Sequence, residues 1–103
     1  MPKPSEHNER FRREHASILN SFSKLAEDCH SGGPLDEKSR RLVKVALAIG
    51  AGLEGATHSA VRHALEGGVT QEELDHVALL GVTTLGFPAA MRALSWLDDH
   101  TED

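Results

Sequence analysis

The sequence has a single cysteine and no long apolar run, and these absences exclude several classes of protein. One of its 103 residues is cysteine, so an internal disulfide framework is excluded, and the solitary Cys29 fits a reducing compartment. No apolar run is long enough to span a membrane, and the polar N-terminus has no signal-peptide core. We therefore predict a cytoplasmic protein with no membrane partner.

A basic block is also missing. The net charge is −5, and Lys and Arg are interleaved with acidic residues, which argues against binding to a phosphate backbone. We predict no nucleic-acid partner. Aromatic residues make up only 4% of the chain, so the core must consist mainly of Leu, Val, Ile and Ala. This composition suits helix-on-helix packing.

The chain does contain helical periodicity in segment after segment. Apolar residues recur at spacings of three and four, glycines and prolines separate the segments, and no segment shows convincing strand alternation. Asp36 is placed to cap one helix, and Thr70 with Glu73 has the spacing of a capping box. We predict an all-α fold in a single domain, 1–103, with five helices over about 5–28, 36–49, 53–66, 70–85 and 88–98.

A resemblance to the carboxymuconolactone decarboxylase family, which includes the alkylhydroperoxidase D-like (AhpD-like) proteins, runs through residues 35–94. It is carried by the motifs LDEKSRRLV, HALEGGVTQEEL and LGFPAAMRAL. The resemblance implies an AhpD-like orthogonal bundle of five helices that assembles as a homo-oligomer, commonly a trimer or hexamer. It also implies, at family level, peroxiredoxin-type (alkylhydroperoxidase) or decarboxylase activity.

The chemistry of the family is not preserved in this chain. The peroxidase branch uses a Glu, a Cys-x-x-Cys pair and a His, and these positions fall on Arg41, Leu53, Ala56 and Ala60. The decarboxylase branch keeps the His that is Ala60 here. A thiol peroxidase cycle needs both thiols, so it is not possible at this site. We expect Leu53, Ala56 and Ala60 to join the buried face of their helix, so that the old site is filled in.

The opposite face of the same helix carries a ladder of polar residues spaced by four: Glu54, His58, Arg62 and Glu66. One interpretation is a solvent-exposed row of charge pairs. The other is that Glu54 and His58 project into a pocket between subunits, where Glu54 orients the imidazole and His58 is a general acid or base. Arg41 likewise either pairs with Glu37 or binds the carboxylate of a substrate.

Seven histidines raise the question of a metal site. His58 and His63 are five residues apart, so on a helix they diverge by about 140°. A site of Glu54 and His58 with His76 is conceivable, but the spacing gives it little support. We predict no metal and no cofactor.

Two functions of different classes follow from these residues. The first is acid–base chemistry on a small acidic metabolite, with His58 as acid or base, Glu54 as its orienting residue and Arg41 as an anion clamp. The second is a catalytically silent homo-oligomeric scaffold or small-ligand-binding protein. They are distinguished by whether Glu54 and His58 line a closed pocket or face bulk water.

Overall fold

The computed structural model describes residues 6–99, and every regular element in this range is a helix. The all-α prediction is confirmed. No helix in this range is both long enough and apolar enough to cross a membrane. In chain order the helices are α1 (Glu6–Glu14), α2 (Ala16–His30), α3 (Glu37–Gly50), α4 (Glu54–Glu66), α5 (Gln71–Leu80), α6 (Val82–Leu85) and α7 (Phe87–Asp98).

Two of the five predicted helices are each divided in two. The first, whose predicted start at residue 5 lies outside the described residues, breaks at His15, where φ is −133° and ψ is 44°. The fourth breaks at Gly81, and the single turn of α6 follows it. Glycine is a poor helix former, so Gly81 lowers the propensity of α5 to continue.

The contacts group the chain into two compact units, Met1–Pro34 and Leu35–Asp103. The single domain over 1–103 stays a prediction. In the first unit α1 contacts α2, and no residue of α2 is buried. Large apolar residues of this segment are therefore exposed, among them Phe11, Ile18, Phe22 and Leu25.

The second unit has an aliphatic core, as the composition predicted. Helix α3 packs against α4 and α5, and α7 packs against α4, α5 and α6. The core contains Val45, Ile49, Val61, Ala64, Val69, Leu74, Ala78, Ala93 and Leu97.

Both predicted helix caps are present, and an ion pair links them. Asp36 accepts a hydrogen bond from the backbone N–H of Ser39 (2.7 Å), which lowers the pKa of Asp36. The hydroxyl of Thr70 accepts from the Glu73 N–H (3.1 Å), and the Glu73 carboxylate accepts from the Thr70 N–H (2.9 Å). Lys38 Nζ donates to Glu73 Oε2 at 2.7 Å and so ties α3 to α5. This bond, followed by the one from the Thr70 N–H, lowers the pKa of Glu73.

Candidate functional site

A tight turn between α3 and α4 fixes where α4 begins. Gly52 has φ of +71°, a conformation that residues with a side chain rarely adopt. The N–H of Gly52 donates to the Ile49 carbonyl, and the N–H of Leu53 donates to the Ala48 carbonyl, both at 3.0 Å. Leu53 is the N-cap of α4 and makes no capping bond with its side chain. The turn therefore joins α3 to α4 directly, so that α4 begins at Glu54.

The buried face of α4 differs from the face that the sequence predicts to be buried. Its buried residues are Thr57, Val61 and Ala64. Leu53 is 53% exposed, Ala56 is exposed, and Ala60 is half-buried. The prediction that the old family site is filled in by burial is therefore wrong for Leu53 and Ala56.

Thr57 is the physical reason for this difference. A hydropathy pattern counts Thr57 as polar, but its hydroxyl donates to the Leu53 carbonyl at 2.8 Å, within its own helix. A hydroxyl that is satisfied in this way can be buried at little cost. With Thr57 inside, the buried face centres near Val61 and Ala64, and the side of α4 with Leu53 and Ala56 turns away from the core.

That side of α4 lines an open groove of about 590 Å³ against α3. The α3–α4 groove, as we name it, is lined by Lys44, Leu47, Ala48, Ala51, Leu53, Ala56, Ser59, Ala60 and His63. Its wall is mostly aliphatic. Leu53, Ala56 and Ala60, to which the family resemblance assigns the Cys pair and the His, thus lie together in a surface depression.

Sequence reasoning missed the polar residues of this groove, Lys44, Ser59 and His63. A signal for two of them was available, because Ser59 and His63 share a helix face with Ala56 and Ala60 at spacings of three and four. Lys44 comes from α3, so only the packing of the two helices brings it to the groove.

A larger groove of about 740 Å³ lies between α3 and α5. This α3–α5 groove is lined by apolar residues such as Val43, Leu80 and Leu85, together with Glu73 and His76. His76 therefore lies here. It is not one of the three potential metal ligands that lie together around His58.

His58 lies on a different side of α4 from the α3–α4 groove. Its Nε2 is 3.3 Å from Glu54 Oε2 and 3.5 Å from Asp99 Oδ2. The side chains of His58, Glu54 and Asp99 are 29%, 59% and 49% exposed, so this Glu54–His58–Asp99 cluster is reached by solvent. Glu54 and His58 do not line the groove. Sequence reasoning missed Asp99, because only the packing of α7 against α4 brings the end of α7 to His58.

Arg41 forms an ion pair with Glu37, as the first of the two interpretations of this residue predicts. Its Nε donates to Glu37 Oε1 at 2.7 Å, and its side chain is 25% exposed. Arg40 shares the same carboxylate at 3.4 Å. Arg41 lines neither groove, so the structure does not bring it together with His58 and Glu54 at one site.

Comparisons with known proteins agree on one family. The sequence profile described as "Carboxymuconolactone decarboxylase family" matches residues 16–99. The crystal structure of an apo protein of that family from Legionella pneumophila is similar to this chain, with a TM-score of 0.74 and 27% sequence identity. The alignment covers 90% of this chain and 86% of that one. No curated protein gives a significant match.

Proposed function

The chain belongs to the carboxymuconolactone decarboxylase family, and we propose that it is a small-ligand-binding member without thiol peroxidase turnover. Its ligand is an apolar molecule that carries a carboxylate, and the α3–α4 groove is the binding site. One observation carries this proposal: Leu53, Ala56 and Ala60, which the family resemblance aligns with the Cys pair and the His of the peroxidase branch, line an open groove. By that resemblance, the groove offers an apolar surface where the peroxidase branch has thiols.

The lining of the groove supports this class of ligand. A volume of about 590 Å³ is ordinary for a small-molecule site. The aliphatic wall suits an apolar body, and Lys44 with His63 offers hydrogen-bond donors to a carboxylate. The described residues that line it include no acid. The α3–α5 groove, in contrast, includes the Glu73 carboxylate, and no Lys or Arg is among the described residues that line it, so it offers an anion less.

Calorimetric titration of the full chain with octanoate tests the proposal, with octanol as the uncharged comparison. Lys44→Met keeps an unbranched side chain and removes the charge, so we expect octanoate affinity to fall by about tenfold, equivalent to ~1.4 kcal/mol. Octanol affinity should not change. Lys24→Met, on the exposed surface of α2, is the matched control. The proposal fails if octanoate does not bind saturably, or if both lysine variants weaken it equally.

Exposed apolar side chains support the homo-oligomer that the family resemblance implies. Val43, Leu80 and Leu85, which line the α3–α5 groove together, are 43%, 61% and 40% exposed. Clusters of such residues on a surface typically mark interaction sites. Chromatography with light scattering should find a trimer or hexamer, and Leu80→Glu should shift it toward smaller species. A monomer at micromolar concentration would contradict this part of the proposal.

A second candidate function is acid–base chemistry on a small acidic metabolite. The observation that favours it is the 3.3 Å separation between His58 Nε2 and Glu54 Oε2. In this function His58 is the acid or base and Glu54 orients the imidazole. Arg41, which pairs with Glu37 and is not brought to this site, has no role in it. Once a substrate is identified, His58→Ala should abolish most turnover, and full activity in that variant would rule this function out.

A further inference from the structure

The Glu54–His58–Asp99 cluster carries an inference that does not depend on ligand binding in the groove. We propose that these three side chains bind a divalent transition-metal ion such as Zn²⁺. Each residue offers one ligand atom, and the three atoms lie within 4.8 Å of one another. One imidazole nitrogen with carboxylate oxygens is a ligand chemistry that zinc uses. Two carboxylates and a neutral imidazole carry two negative charges, which a divalent cation neutralises.

The distances from His58 Nε2 to the two carboxylates match the spacing of metal ligands. Ligands bound at about 2.0–2.1 Å around a tetrahedral ion are separated from each other by about 3.3–3.4 Å. His58 Nε2 lies 3.3 Å from Glu54 Oε2 and 3.5 Å from Asp99 Oδ2. Charge-assisted N–H···O bonds are shorter, at about 2.7–2.9 Å.

Distance alone does not distinguish a metal site from an ion pair on this surface, because Lys38–Glu73 is 2.7 Å long and Arg40–Glu37 is 3.4 Å long. The distinguishing feature is that two carboxylates lie close to one imidazole nitrogen. A single imidazole N–H points in one direction and cannot donate well to two carboxylates. One bound cation would instead be shared by all three groups.

Two helices hold the three ligands in place. Glu54 and His58 are one turn apart at the start of α4, and Asp99 directly follows α7. Helices α4 and α7 pack against each other, so the third ligand is set by the core of the unit. The exposure of all three side chains leaves room for water to complete the coordination.

Metal binding would change the role of His58. The Nε2 lone pair that binds the ion is no longer available to accept a proton, so the metal site replaces the acid–base role of the second candidate function. It leaves the α3–α4 groove unaffected, because Glu54, His58 and Asp99 do not line it. Failure of either proposal is therefore distinguishable from failure of the other.

Calorimetric titration of the full chain with ZnCl₂ tests the site. We expect one Zn²⁺ per chain. Glu54→Gln, His58→Ala and Asp99→Asn should each weaken binding by about tenfold or more, since the loss of even an outer-shell partner costs about 10–100-fold. His63→Ala and Cys29→Ser remove other potential zinc ligands and should leave the affinity unchanged.

Cobalt provides a second readout that does not depend on the size of a heat signal. Co²⁺ in the parent chain should give the visible absorption bands of a low-coordinate site, and Asp99→Asn should lose them while its circular dichroism stays that of the parent. The proposal is overturned if Zn²⁺ does not bind, if Asp99→Asn binds it as tightly as the parent, or if His63→Ala or Cys29→Ser removes the binding.

Discussion

Two single aspartate substitutions, one at a buried and one at an exposed position at α4, test which face of that helix is buried. Val61 is 1% exposed, so Val61→Asp places an acid in the core. A fully buried carboxyl raises its pKa by about 3–5 units, so the new acid is largely protonated in the folded chain at neutral pH; with an unfolded pKa of about 3.9, this costs about 4 kcal/mol at pH 7. A domain of this size has a total stability of only about 5–15 kcal/mol. Val61→Asp should therefore unfold the second unit or leave it barely stable.

Leu53→Asp should have the opposite effect. Leu53 is 53% exposed and is the N-cap of α4, with extended backbone angles and no side-chain capping bond. Aspartate is among the best N-cap residues, and a good cap contributes about 0.5–2 kcal/mol. We expect Leu53→Asp to be neutral or to stabilise the fold by about 1 kcal/mol. It should also weaken octanoate binding, because the new charge lies in the α3–α4 groove.

Urea unfolding followed by circular dichroism measures both effects at a fixed protein concentration. The slope of free energy against urea should be similar for the parent and Leu53→Asp, so that a change in midpoint reports stability. The reasoning is refuted if Val61→Asp is as stable as the parent. It is equally refuted if Leu53→Asp loses more than about 2 kcal/mol, since that size of loss belongs to buried sites.

The remaining predictions concern helix capping, acid sensitivity and redox chemistry. Thr70→Ala should cost about 1 kcal/mol through the lost capping box, and Thr83→Ala, an exposed threonine of α6, should cost less in the same urea assay. The pKa of Glu73 is lower in the folded chain than in the unfolded chain, so the stability that Glu73 contributes is present at neutral pH and is lost as pH falls below about 4.3. Lys38→Met should therefore reduce the loss of stability on acidification. A pH profile of stability that is unchanged in this variant would contradict the assignment. Thiol-dependent reduction of hydroperoxides should stay at the level of free thiol for both the parent and Cys29→Ser, and turnover that needs Cys29 would be the contrary result.

Local signals in the sequence were enough to place most helix boundaries. The hydrogen bonds of Asp36 and of the Thr70–Glu73 capping box join residues three apart in the sequence, so the sequence alone predicts them. The aliphatic core follows from the scarcity of aromatics, and the family resemblance agreed with the fold. The division of the first helix at His15 had no comparable signal, since the apolar spacing continues through it.

The candidate site was harder to predict, because its geometry depends on non-local packing. Thr57 turns α4 only because the hydroxyl bonds within the helix and the side chain is then free to enter the core. Asp99 reaches His58 only because α7 packs on α4. Neither effect leaves a periodic trace in the sequence. The contact between Glu54 and His58 could be predicted, because the two residues are one helical turn apart in the sequence.

The most direct test of the central claim is a nuclear magnetic resonance titration of ¹⁵N-labelled full chain with octanoate. The claim is that the family's thiol positions now form an apolar ligand site. It predicts saturable amide shifts concentrated at Ala48, Ala56 and Ala60 in the α3–α4 groove. Shifts that never saturate, or that are largest at Val77 and Leu80 in the α3–α5 groove, would contradict it.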